Sequence, residues 1–503
     1  MINTTPYWLA DSSARRYPVL SKALTVDALI VGGGLTGVTT AYLLRRAGLS
    51  VALVERDRIA HADTGHTTAH LTAVTDLRLE ELVENFGRDH AQAVWDAGAA
   101  AIEQIEEIIR LEQISCEFNR VPGYLHAPQT GGDTLSERER FRSEAKLAND
   151  FGFDAEYLEA VPHMKRPGIR ISDQALFHPV KYLSALAERI AGDNSFVFEE
   201  SEAKEFDEQK RRAKVNGYWI NYGVVILATH NPLIGEAGAI SATAFQTKLA
   251  LYTTYAVGAR VPSGSIPRAS FWDTNDPYQY LRVHRQDGED YAILGGEDHK
   301  TGQVERTESR YERLETALRQ IAPEAIVDHR WSGQVIETND GLPFIGEFSP
   351  GQFIATGFAG NGMTFGTLSA MMATDWAARK KNPWSDLFAP SRKKIKGGAW
   401  DYLKENVDYP YYLAKTRLTP AEGKSLSELA PGEGKILRLK GRKMAVYRDA
   451  SGRVQKRSAT CTHMGCIVRW NSAETTWDCP CHGSRFRTDG SVISGPAESP
   501  LAE

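Results

Sequence analysis

Val26-Asp-Ala-Leu-Ile-Val-Gly32-Gly33-Gly34-Leu-Thr-Gly37 begins a run that continues as a helical stretch to Gly48 and resumes as Ser-Val-Ala-Leu-Val-Glu55. The order is strand, glycine turn, helix, strand, acid, the full βαβ context of a dinucleotide site. Gly32 permits the tight turn, Gly34 lets the backbone approach a pyrophosphate, and Gly37 allows close helix–strand packing. The pyrophosphate would sit at the helix N-terminus, where free N–H groups and the dipole favour an anion. Glu55 is expected to accept hydrogen bonds from the adenosine ribose. A glycine turn alone can be purely structural; the strands, helix and acid together favour dinucleotide binding. The motif does not by itself separate FAD from NAD.

The other end of the chain carries different chemistry. It reads Cys461-Thr-His463-Met-Gly-Cys466 and then Cys479-Pro-Cys481-His482-Gly-Ser484. Two Cys-plus-His pairs are the ligand set of a Rieske [2Fe–2S] centre, in which two imidazoles replace two thiolates on one iron. Cys461 and Cys479 would supply thiolates to the iron that stays ferric. His463 and His482 would bind the reducible iron and raise its potential. Tetrahedral zinc is the alternative for two Cys and two His. Zinc knuckles usually pair their ligands as Cys-x-x-Cys, and a four-ligand zinc site leaves Cys466 and Cys481 unexplained. The stretch closely resembles the C-T-H-x-G-C and C-P-C-H-G-S boxes of the Rieske family. That resemblance implies a Cys466–Cys481 disulfide tying the cluster loops together, and a shielding proline loop at Gly495-Pro496-Ala497.

At 503 residues the chain suggests two or three domains. With 42% hydrophobic residues, 24% charged residues and a net charge of −5, nothing calls for nucleic acid or an anionic membrane as partner. The start Met-Ile-Asn-Thr-Thr-Pro lacks the regions of a signal peptide, and no apolar run of about eighteen residues predicts a membrane span. Of the five cysteines only Cys116 lies outside the two boxes, and it reads as a small buried hydrophobe. The compartment reads as cytoplasmic, where a disulfide is unusual unless a cluster shields it.

Three further segments narrow the cofactor. Tyr222-Gly-Val-Val-Ile-Leu-Ala228-Thr229-His230 is a short buried strand ending in small residues. Asp340-Gly-Leu-Pro343-Phe-Ile-Gly346 precedes Phe353-Ile-Ala-Thr-Gly357-Phe-Ala-Gly360-Asn361-Gly362-Met363-Thr364-Phe-Gly366 and an apolar helix. Together with the first motif they resemble the D-amino-acid oxidase and glycine oxidase superfamily of FAD enzymes, over roughly residues 25 to 380. The resemblance implies a split Rossmann-like α/β FAD domain, a β-rich substrate domain, and a C-terminal all-β Rieske sandwich. The expected spans are 1–84, 161–243 and 335–381 for the FAD domain, with 85–160 (helical) and 244–334 (β-rich) for the substrate domain. A linker at 382–425, with the basic run Arg392-Lys-Lys-Ile-Lys396 read as solvated, leads to the Rieske domain at 426–503. Beyond the first motif, FAD contacts are expected at Arg56, Thr67, Thr68, Ala228, Gly346 and the loop from Gly360 to Thr364. His66 or His70 could attach FAD covalently, as some relatives do near this region; the plainer reading is that this segment makes backbone contacts to the flavin.

A hydride acceptor joined to a one-electron cluster suggests substrate oxidation at FAD, with the cluster draining electrons to an external acceptor. The superfamily implies a small amine or amino acid as substrate. Arg282 is a candidate carboxylate clamp, Tyr280 could line the same strand face, and His299 could orient substrate. The alternatives are a reductase component feeding an oxygenase, which needs a second nucleotide-binding unit that the sequence does not show, and a non-catalytic redox sensor.

Overall fold

The computed structural model describes residues 2–10, 15–231, 248–286, 288–392 and 408–503. The expected spans at 232–247, and the basic residues 393–396, lie outside the described residues.

The strand Leu24–Val31 is apolar and buried along its second half, as a central strand covered on both faces must be. It pairs in parallel with Val51–Val54 on one side and Tyr218–Leu227 on the other. Phe196–Phe198 and Gln352–Thr356 extend the parallel sheet at its two ends, and Phe344–Ser349 closes it antiparallel. One sheet therefore draws on three distant stretches of chain, which is the split FAD-domain architecture. The helix Leu35–Arg46 follows the glycine turn, ends on Arg45 and Arg46 where cations suit the dipole, and stops before Gly48 at φ +90°. It packs on the helix Gly362–Ala377. A Cβ on Gly366 would stand 2.9 Å from Thr36 Oγ1, so a glycine sets that helix spacing.

The second sheet runs Ile326–Thr338, Leu249–Val261, Glu289–Lys300, Tyr280–Gln286, Ser270–Asp273, Asn119–His126, Gly168–Leu176 and His70–Leu71, with Ala155–Leu158 at the side. Two expectations change here. The span 85–160 is not only helical, because it contributes two of these strands. Gly168–Leu176, placed with the FAD domain by sequence, pairs with Asn119–His126 instead. Alternation predicts a strand, but its partner is set by tertiary packing. The helical periodicity at 81–115 resolves into Leu79–Phe86 and the long Arg88–Glu112, broken at Gly87 with φ +85°.

Described residues of the expected linker make specific contacts. Arg392 is buried, not solvated: it donates to Asp340 at 2.7 and 2.9 Å and stacks on Phe344 at 4.0 Å. The helix Asp408–Leu418 packs on the C-terminal domain, where Lys443 donates to the carbonyls of Thr416, Arg417 and Thr419 at its carboxyl end. That domain holds two antiparallel sheets of three and four strands around Ile436, Val468, Trp477 and Phe486. The Asp449–Gly452 segment makes the expected hairpin turn, with Asp449 Oδ1 accepting the Ser451 and Arg453 N–H groups. Among the described residues no helix is long and apolar enough to cross a membrane.

Candidate active site and cluster centre

A cavity of about 1640 Å³ opens where the carboxyl ends of the parallel strands face the larger sheet. At its floor Gly32 has φ +110°, and a Cβ there would fall 2.3 Å from the Ala228 carbonyl oxygen. A Cβ on Gly37 would fall 1.8 Å from the Gly32 oxygen, so the helix can close on the strand only with glycine there. Gly34 is different. Its Cβ would meet only Thr64 Oγ1, at 3.0 Å, and otherwise point into open cavity at the helix amino end. That first turn holds no acidic residue, so its dipole is left for an anion. Glu55 Oε2 accepts the Gly33 N–H at 2.6 Å and Oε1 accepts the Asp57 N–H at 2.8 Å. Burial raises its pKa while those two N–H groups hold it down. The carboxylate thus fixes the turn and keeps free lone pairs beside the cavity for a ribose.

Arg56 lines the cavity and also donates to the Ile493 carbonyl of the C-terminal domain. Thr67, Thr68, Ala228, Gly360, Asn361, Gly362 and Met363, the expected FAD-contact positions, also line it. Gly346 and Thr364 do not. Gly346 packs toward Pro390, and Thr364 Oγ1 donates to the Thr72 carbonyl, because the helix turns that side chain inward. The cradle, the glycine turn and the second helix amino end at Gly362 fit FAD. His66 and His70 both reach the cavity wall; burial pushes His70 down to about 3, leaving it neutral.

The substrate candidates separate. Arg282 is 1% exposed and is not a clamp. It donates to the carbonyls of Thr68, Ala69 and Phe177 and lies over Trp8, behind the segment that lines the cavity. Tyr280 lines the cavity on the same strand, its hydroxyl 2.6 Å from Thr254 Oγ1. His299 faces away, bonded to Tyr255 OH at 3.0 Å and the Lys300 carbonyl at 2.9 Å. Its neighbour Asp298 reaches the cavity instead, with Asp76 and Tyr278. Adjacent strand residues point to opposite faces, so Asp298 meets the cavity and His299 does not. Replacing Arg282 by Met should therefore cost about 1–3 kcal/mol of stability, because the buried carbonyls lose their donor. Thermal or denaturant unfolding checks this, with no selective rise in KM expected.

In the C-terminal domain Cys461 and Cys479 are buried free thiols, and Cys466–Cys481 is a disulfide with Cα atoms 6.5 Å apart. Cys461 N–H donates to the Cys466 carbonyl and Cys479 N–H to the Ser484 carbonyl, closing two matched loops. The His463 and His482 rings lie 4.8 Å apart beside the thiols. The two thiols titrate as a pair: hydrogen bonding from Cys479, from backbone N–H groups and from Ser484 lowers the Cys461 pKa, while the bond to Cys461 and burial raise that of Cys479. Two thiolates, two imidazoles and a spent cysteine pair fit a [2Fe–2S] centre and leave no four-cysteine site. Tyr409, from the segment read as linker, covers His482 with ring centroids 4.3 Å apart.

Ser484 Oγ accepts the Ala497 N–H at 3.1 Å, which frees its hydroxyl hydrogen for the cluster side. Phe486 is fully buried where high-potential Rieske proteins carry a tyrosine. Hydrogen bonds to sulfur favour the reduced state. One such bond, at about 1.5–3 kcal/mol, is worth about 60–130 mV for one electron. Phe486→Tyr should raise the midpoint by that order and Ser484→Ala lower it, as a redox titration followed by EPR will read. The wild-type value is expected in the middle of the Rieske span of about −150 to +300 mV.

The cluster loop docks directly on the larger sheet. A Cβ on Gly302 would stand 2.8 Å from the Cys479 carbonyl carbon, and Gln303 Nε2 donates to the Pro480 carbonyl at 3.1 Å. Gln334, which lines the cavity, donates to the Gly483 carbonyl at 2.9 Å. Gln334 was not legible as a site residue; only its place on a long strand, opposite Thr253, brings it there.

The family model for FAD dependent oxidoreductase matches residues 27–376, and the Rieske [2Fe-2S] domain model matches residues 422–503. The Bacillus subtilis (strain 168) protein YhfW, whose name places it with Rieske 2Fe-2S iron-sulfur proteins, is 32% identical over 99% of this chain and 97% of its own. Glycine oxidase from Geobacillus kaustophilus superposes with a TM-score of 0.61, covering 74% of this chain and 99% of that one at 18% identity. L-proline dehydrogenase from P. horikoshii gives 0.60, over 74% and 98% at 18% identity. Those two likenesses are of fold. The chain belongs to the FAD dependent oxidoreductase family and carries a C-terminal Rieske domain, so it binds FAD and a [2Fe–2S] cluster.

Proposed function

We propose that the protein oxidises a small amine or amino acid at FAD and passes the electrons singly through the Rieske cluster to an external acceptor. The observation that carries this reading is Gln334, one side chain that both lines the FAD cavity and holds the cluster loop at Gly483. When bound, FAD supplies a two-electron acceptor and the cluster a one-electron carrier. The chain's own residues orient the substrate and exclude water. Tyr278 and Tyr280 line one side of the cavity, and the C-terminal segment from Val492 to Pro500 lines another.

Glycine oxidase and L-proline dehydrogenase, which share this fold, are both named for substrates with a C–N bond, and this supports the substrate class. A reductase role would need a second nucleotide fold. The described residues between the two motifs build a mixed sheet instead. The test is an anaerobic screen of flavin bleaching. Amines or amino acids should bleach it and NADH should not; bleaching by NADH alone would establish the reductase, and bleaching by neither the sensor.

A further inference from the structure

We infer that the substrate end of the cavity is built for a cationic amine without a carboxylate, held by Asp76 and Asp298 against the neighbouring rings of Tyr278 and Tyr280. The inference rests on the FAD-oxidation reading and sharpens its substrate class.

The charges on the wall decide it. An amino acid needs a cation to receive its carboxylate, usually an arginine that can donate twice. Among the described residues, each arginine or lysine lining this cavity already faces an acid. Arg78 is held by Glu137 at 2.5 Å and by both oxygens of Glu144. Arg140 meets Glu81 at 2.7 Å, Lys204 meets Glu202 at 2.8 Å, and Arg56 lies 3.8 Å from Asp57. Arg282, the strongest sequence candidate, is turned onto main-chain carbonyls. Val335, on the strand beside Gln334, offers the cavity only an apolar side chain.

The acids show the opposite pattern. Asp76 accepts the Tyr278 hydroxyl at 3.0 Å and the Gly360 N–H at 2.7 Å, both neutral donors. Asp298 accepts from Thr254, whose oxygen lies 2.6 Å from the Tyr280 hydroxyl, and Asp298 Oδ1 is enclosed with no hydrogen-bond partner. No ion pair to either carboxylate occurs among the described residues. Asp76 faces the open cavity and Asp298 is half-buried beside it, so the two carboxylates together make a negative wall that favours a cationic ligand. The tyrosine rings beside them lie 5.4 Å apart and inclined at 49°, surfaces that attract an ammonium. Carboxylate pair and aromatic faces therefore call for the same ligand.

The arrangement also prepares the amine. Oxidation at the carbon beside nitrogen needs the neutral amine, whereas a small amine arrives protonated. An N–H proton moves from the ammonium to the Asp298 carboxylate, leaving a neutral amine and a carboxylic acid. The charged and titratable groups around Asp298 are Asp76, Glu297, Tyr280 and Tyr278, with Arg310 as the opposing charge. Burial and the neighbouring acids raise its pKa to about 7, suited to that transfer at neutral pH.

The test uses the holoenzyme and two ligands that cannot be oxidised, benzyltrimethylammonium and benzoate. Binding is followed by calorimetry and by the shift of the flavin absorption band. The ammonium should bind and benzoate should not. Affinity for the ammonium should fall about tenfold from pH 8 to pH 6, as ionised Asp298 drops from about nine-tenths to about one-tenth. Asp298→Asn and Asp76→Asn should each weaken it about tenfold or more with FAD content retained. Benzoate binding in place of the ammonium would overturn the inference, as would ammonium binding that neither substitution affects. If the ammonium binds yet no amine bleaches the flavin, the cation site stands and the oxidation reading fails. If amino acids bleach it and the ammonium does not bind, the oxidation reading stands and this site fails.

Discussion

Replacing His482 by Ala should remove the [2Fe–2S] centre and leave FAD in place. His482 stands with His463 beside the buried thiols Cys461 and Cys479, and no other histidine lies in the two cluster loops. Alanine leaves an iron with an open position next to Tyr409, which would not hold a cluster through purification. The FAD cradle is assembled from Gly32, Gly34, Glu55 and Ala228, while the C-terminal domain has its own core of Val468, Trp477 and Phe486. Iron per chain should fall to near zero, with loss of the rhombic EPR signal of the reduced protein and near-full flavin. Full iron with an unchanged signal would remove His482 from the ligand set.

Gly34→Val should do the reverse, emptying the FAD site while sparing the cluster. A Cβ at Gly34 meets nothing of the protein but Thr64 Oγ1 at 3.0 Å, so the variant folds. The added methyls occupy the space where the pyrophosphate must approach the helix amino end. Overpacking of about 3 kcal/mol corresponds to about a hundredfold loss of affinity. Gly48 is the useful contrast. It has open space around it but φ +90°, so Gly48→Ala should cost about 1 kcal/mol of stability and no flavin. Flavin released on denaturation gives the occupancy of each variant. Full occupancy in Gly34→Val would move the pyrophosphate elsewhere.

Much of this architecture is carried by local signals. The glycine turn, its acid and the Cys/His boxes each depend on backbone geometry or ligand chemistry within about a dozen residues, and they are legible. The strand Gly168–Leu176 was not, since alternation reveals a strand but not which sheet receives it. Arg282 illustrates a different limit: its strand face was correct, but the segment Thr68–Ala69 folds between it and the cavity. Asp298 was hidden by one residue, because a bend at Glu297, with φ +62°, determines which neighbour faces the cavity. Asp76 and Gln334 come from loops and strands far apart in sequence, and no spacing rule connects them. The helix Asp408–Leu418 lay in a stretch rich in tyrosine and proline and gains its order from the C-terminal domain, through Lys443 and His482.

The central claim is that electrons cross from flavin to cluster within one chain, past Gln334 and the Gly483 loop. The direct measurement is anaerobic single turnover of the holoenzyme with a limiting amount of an amine that bleaches its flavin, freeze-quenched at intervals for EPR. The account predicts that the reduced-cluster signal rises as the flavin absorbance returns, at the same rate at different protein concentrations. A flavin that stays bleached beside an oxidised cluster, until a soluble mediator is added, would contradict it.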